Sequence, residues 1–159
     1  MTTPPTPYAG DLGDRDPLAA IRDTADRIGA LARGWAPDRF ERCWAPGKWS
    51  ARQILTHLAQ TELALGNRAR MALATPDYVA QAFDQDAWIA RETRLSGPEA
   101  LGTFQALARM NARFFDGLST ADRATGLSHP EYGALTIDWI IHQMAGHQIH
   151  HLRQLEGID

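Results

Sequence analysis

The sequence predicts an all-α fold, a four-helix bundle with long loops. Four segments repeat apolar residues at helical spacing, and stretches bearing proline and glycine separate them. No segment alternates with period two for long enough to make a strand. The 159 residues, 44% hydrophobic and 22% charged, suit one domain with a core that needs no staple.

The elements follow in chain order. Residues 1–15 are rich in proline, glycine and threonine without periodicity, and are expected to form a flexible tail outside a single domain at 16–159. Ile21, Ala25, Ile28 and Ala32, with Leu31 alongside, mark a first helix near 16–34. The segment WAPDRFERCWAPGKWS then holds three of the five tryptophans, whose indoles are expected to pack against helix ends. Ser50 with Gln53 reads as a capping box opening a second helix to about Leu73, striped by Ile54, Leu58, Leu65 and Ala72. A shorter helix is expected near 82–94. Ser96 with Glu99 opens a third long helix, carrying Leu101, Phe104, Leu107, Ala108 and Phe115 and ending near Leu118. A helical turn at Ser119–Arg123 and a break at His129-Pro130 precede the last helix, from about Thr136 to Glu156, which Gly157 stops.

Composition excludes several function classes. A net charge of −3 builds no cationic field, so no nucleic-acid partner is expected. One cysteine, Cys43, excludes an internal disulfide and a cysteine-rich zinc module, and its side chain is expected to be packed beside Trp44. No apolar run spans a membrane and no export signal opens the chain, so a cytoplasmic protein without a membrane partner is expected.

The histidines carry the chemical signal. On a helical wheel centred on His147, Ile140 and Ile158 fall at about +20°, His151 at about +40°, Met144 at about +60° and Leu155 at about +80°. Two imidazoles at i and i+4 therefore point into the bundle. Burying both costs free energy unless their nitrogens find partners, and a divalent metal serves both at once. His57 shares a face with Ile54, Thr61 and Leu65 near the start of its helix, while the pair lies near the end of the other. If those helices run antiparallel, His57, His147 and His151 meet at one level as metal ligands. His150 falls on the flank; His142 and His129 are expected to face solvent. Glu62, five residues after His57, is the candidate catalytic base or orienting group, against the plainer reading of a flank glutamate facing water. Asp84 and Asp86 read equally well as helix-start residues. Glu-x-x-His units, His-Glu-x-x-His and a Gly-x-Ser-x-Gly elbow are all absent, which sets aside di-iron bundles, zincin proteases and serine hydrolases of that type.

The strings GKWSARQILTHLAQTE, HPEYGALTIDWII and AGHQIHHLRQL resemble the DinB/YfiT-like superfamily of metal-binding four-helix bundles, over nearly everything from Trp44 to Leu155. The resemblance implies an up-down-down-up helix order and a divalent metal, zinc or nickel, on His57, His147 and His151. It further implies a homodimer and, by analogy with some members, S-transferase or isomerase chemistry on a low-molecular-weight bacterial thiol such as bacillithiol or mycothiol. The reading that follows is a metal-dependent thiol S-transferase or hydrolase, activating a bound thiol or water against a small-molecule electrophile. Two others stay open: a non-catalytic metal-binding or stress-response protein, and a helical dimerisation module whose histidines are satisfied internally. A fourth protein ligand such as His150 would favour the structural reading.

Overall fold

The computed structural model describes residues 5–159, and residues 1–4 lie outside the described residues. Four long helices form the bundle: α2 (Pro17–Ala32), α4 (Ala51–Ala74), α6 (Gly97–Asp116) and α8 (Ile137–Glu156). Around them lie single turns α1 (Ala9–Leu12), α3 (Pro37–Phe40) and α7 (Thr120–Arg123), and the short helix α5 (Gln85–Arg91). Strands β1 (Gly126–His129) and β2 (Gly133–Thr136) pair antiparallel in the register Gly126↔Thr136 to His129↔Gly133.

The helix order follows from which residues share each end of the core. One end gathers Ile28 and Ala32, Ala51 and Ile54, Ala100 and Phe104, and Leu152 and Leu155. Here α2 and α8 finish while α4 and α6 begin. The other end gathers Ile21, Ala69 and Ala72, Ala112 and Phe115, and Ile137 and Ile140. The directions are therefore up, down, down, up. Each of α4 and α2 packs against both α6 and α8, so α2 and α4 stand diagonally opposed. The connection from α4 to α6 joins parallel neighbours and must run the length of the bundle, whereas that from α2 to α4 crosses the diagonal at one end.

The local chemistry starts each helix where the site requires it. Ser50 accepts from the Gln53 N–H while Gln53 Oε1 accepts from the Ser50 N–H, a complete capping box. Ser96 and Glu99 repeat that device at α6. The Ser50 box fixes the start of α4 two turns ahead of His57. Ser50→Ala is expected to lower stability by about 1 kcal/mol, read as a shift in the urea midpoint at unchanged slope.

Four expectations are corrected. The hairpin β1–β2 stands where a plain connection was expected, with Gly133 at φ 74° closing its turn. Four-residue strands are too short to declare a period of two. The expected tail is docked from Tyr8 onward: Leu12 is buried in the core, and Asp11 pairs with Arg153 of α8. Cys43 is exposed, because its backbone bridges Ser50 and the Arg42 carbonyl accepts from the Ala51 N–H, which leaves the side chain pointing outward. Trp44 shares that exposed loop, whereas Trp35 and Trp49 pack on the core as expected. Among the described residues, no helix is long and apolar enough to cross a membrane.

Candidate metal centre

Because α4 runs against α8, the early residue His57 and the late residues His147 and His151 reach the same level of the bundle. All three are buried, and one ligand nitrogen from each lies within 4.8 Å of the others. His147 Nε2 is the hub, 2.9 Å from His57 Nε2 and 3.1 Å from His151 Nε2. A tetrahedral zinc ion bound at its usual bond length sets nitrogens about 3.3 Å apart.

The donor set fits a cation better than it fits itself. Burial pushes the His57 imidazole down to about 4 and that of His151 down to about 3. Burial, followed by the neighbouring histidines, holds His147 well below the usual range. All three are therefore uncharged at neutral pH. His151 Nδ1 lies 2.7 Å from Gln154 Oε1, an acceptor only, so its proton sits on Nδ1 and its Nε2 offers a lone pair. His147 Nε2 has a single proton or a single lone pair with which to meet two neighbouring nitrogens. Neutral rings cannot satisfy that hub, and a shared divalent cation satisfies all three.

The surroundings shield the centre. Trp49 packs its ring 4.8 Å from that of His57. Tyr8 stands edge-on to His147 at 5.2 Å and 5.0 Å from His150. Its backbone can come this close only because residue 146 is glycine: a Cβ there would lie 2.4 Å from the Tyr8 carbonyl oxygen. Gly146→Ala is accordingly expected to release the Tyr8–Leu12 segment at a cost of about 1–2 kcal/mol. Faster hydrogen exchange confined to that segment would show it; unchanged exchange would refute the close fit.

Two concavities meet at the histidines. One, of about 270 Å³, is lined by His57 and His147 together with Thr61, Arg68, His129 and Gln143. The other, of about 310 Å³, reaches His57 and His151 past Trp44, Lys48 and Trp49. Tyr8, His57 and Gln85 border both.

The remaining candidates sort clearly. His150 does not join the cluster; it lies 3.5 Å from Asp11 and 3.3 Å from Gln154 Nε2. His142, expected to face solvent, is half-exposed, with Nδ1 2.8 Å from the Asp138 carbonyl oxygen. Asp84 caps α5 by accepting from the Ala87 N–H, and Asp86 sits in that helix's first turn. His129 is buried, against expectation, because β1 folds it inward beneath Tyr132. Glu62 is buried too, and faces away from both concavities. Its carboxylate accepts from Asn111 Nδ2 at 2.7 Å and Gln148 Nε2 at 2.5 Å, in the seam of α4, α6 and α8. The catalytic role considered for Glu62 does not fit that position.

Sequence reasoning missed Arg68 and Gln154, although both left a signal. Arg68 follows His57 by eleven residues, about 20° round the wheel and so on its face. Gln154 follows His151 by three, within reach on a helix.

Comparisons with known proteins agree with this architecture. The structure of YfiT from Bacillus subtilis, described as a probable metal-dependent hydrolase with an unusual four-helix bundle topology, superposes with a TM-score of 0.81. The two share 16% identity over 89% of this chain and 83% of that one, a likeness that shows the fold. Two Oceanobacillus iheyensis proteins, provisionally named metal-dependent hydrolases (OB0413 and OB0782), are similar in sequence. The first is 21% identical over 87% of this chain and 81% of its own length; the second is 25% identical over 76% and 71%. The family model of the DinB superfamily matches residues 20–155, which takes in all four bundle helices save the first turn of α2 and the last residue of α8. The chain belongs to the DinB superfamily.

Proposed function

We propose that His57, His147 and His151 hold a divalent cation, zinc or nickel, and that the chain is a metal-dependent hydrolase or thiol S-transferase. The observation that carries this reading is the convergence of three uncharged imidazoles where two concavities meet. His150, the further histidine nearby, is held aside by Asp11, Tyr8 and Gln154, so among the described residues the cluster offers three protein donors and not four. When bound by three neutral ligands, such a cation supplies Lewis acidity and lowers the pKa of a water or thiol that reaches it.

The chain's own residues bind and orient. Gln154 fixes the His151 ring so that Nε2 faces the cluster. Trp49 and Tyr8 cover the imidazoles from two sides and limit access by bulk water. Thr61 Oγ1 and Gln143 Oε1, both buried without a hydrogen-bond partner, stand in the wall of the first concavity. The names of the relatives support hydrolysis. The two adjoining concavities favour transfer, because a thiol and an electrophile can approach the centre from different sides.

Elemental analysis followed by a paired assay tests the reading. One arm supplies p-nitrophenyl acetate alone; the other supplies 1-chloro-2,4-dinitrobenzene with a small thiol. The expected result is a rate that a chelator removes and zinc or nickel restores, the responding arm distinguishing hydrolase from transferase. A purified protein that takes up no stoichiometric ion would overturn it.

A further inference from the structure

The first concavity has a charged end remote from the histidines. Arg68 lies eleven residues beyond His57 on α4, about three turns and ~16 Å of rise along the same face. Its side chain is nine-tenths buried. Nη2 donates to the Gln81 carbonyl at 2.6 Å, and the guanidinium stands 5.8 Å from the centre of the Phe83 ring. None of the ion pairs among the described residues includes it. A guanidinium so enclosed keeps its charge and four unspent N–H donors, and such groups are seldom left without an anion.

His129 lines the same end. Its Nδ1 accepts from the Glu131 N–H at 3.1 Å, which puts the ring proton on Nε2 as a donor. Burial, and then the charge of Arg68, hold this imidazole below its ordinary range, so it is a neutral donor beside a cation.

We propose that Arg68 and His129 receive a carboxylate carried by an elongated substrate whose other end reaches the three histidines. This rests on the reading of the histidine cluster as the site of chemistry. A planar guanidinium matches a carboxylate in two parallel hydrogen bonds. The exposed carboxylate of Glu131, which also lines this end, disfavours a dianion and so selects a monoacid. Between the two ends, the unpartnered Thr61 and Gln143 oxygens meet the middle of the molecule.

The test uses full-length protein loaded with cobalt and two series of probes, ω-mercaptoalkanoates of increasing length and the matching ω-mercaptoalcohols. Binding is read from the absorption band a thiol produces on reaching cobalt. The acids are expected to bind about ten-fold tighter than the alcohols, a step of roughly 1.4 kcal/mol, and only once the chain is long enough to reach Arg68. Arg68→Gln should erase that preference while leaving cobalt content and the affinities of the alcohols unchanged; Arg68→Lys should keep part of it. Equal affinities at every length, or a preference that survives Arg68→Gln, would overturn the proposal. If no thiol changes the cobalt spectrum, the transfer reading fails by itself. Calorimetry with octanoate against octanol on wild type and Arg68→Gln then decides the acid subsite: a preference for the acid that Arg68→Gln abolishes supports it, and no preference in wild type, or one that survives Arg68→Gln, overturns it.

Discussion

A His147→Ala protein should fold and yet retain no stoichiometric metal. His147 Nε2 is the nitrogen that lies within 3.1 Å of both other imidazoles, so its loss leaves two donors that face a gap. Chelator-sensitive activity should fall at least about 100-fold, more than the loss of an outer partner usually costs. Gln154→Ala supplies that comparison: it releases the His151 ring without removing a donor, and metal affinity should drop about 10- to 100-fold. Ligand linkage gives a readout independent of catalysis. Wild type should gain about 2.7 kcal/mol of stability at a free-ion concentration 100 times the dissociation constant, and His147→Ala should gain none. Metal analysis that still finds one equivalent of ion in the variant would sink the site, whatever the activity.

Much of this site was legible because helices advertise their buried faces. The residues placed in one stripe with His147 and His151, namely Ile140, Met144, Leu155 and Ile158, are all buried, and the antiparallel pairing of α4 and α8 that closes the cluster holds. What period alone could not show was how many faces of a helix are covered. Helix α4 packs against both α6 and α8, so Glu62, about 140° round the wheel from His57, is enclosed rather than solvated. Partners supplied by α6 and α8 cannot be read from α4 itself. The same holds for the docked Tyr8–Leu12 segment, whose anchor is a glycine on α8 nearly 140 residues later. His129 became buried through a hairpin too short to declare itself, and Arg68 was passed over because an arginine inside an apolar stripe reads as an interruption rather than as part of a cavity.

Glu62 should make the protein less stable as pH rises from about 4.5 to about 7. Burial raises its carboxyl from 4.5 to about 7, although the hydrogen bonds from Asn111 and Gln148 pull the other way. In the unfolded chain the group ionises at its ordinary value; in the folded chain it keeps its proton for longer. The folded state thus binds more protons across that window, and stability falls with rising pH. The contribution is fully present below the unfolded value of 4.5 and is lost as pH passes the folded value of about 7. Its full size is on the order of 3 kcal/mol. Glu62→Gln should remove the slope. The amide mimics the protonated acid, and Gln148, whose Oε1 is buried and unpartnered, can turn that oxygen toward the new N–H. The histidine centre adds its own pH dependence, so both proteins must be compared at equal metal loading and judged by their difference. Urea midpoints for the two proteins should therefore diverge between pH 5 and pH 8, with the variant the more stable at the alkaline end. Parallel curves across that range would mean that Glu62 stays ionised in the folded chain, held so by its two amide donors.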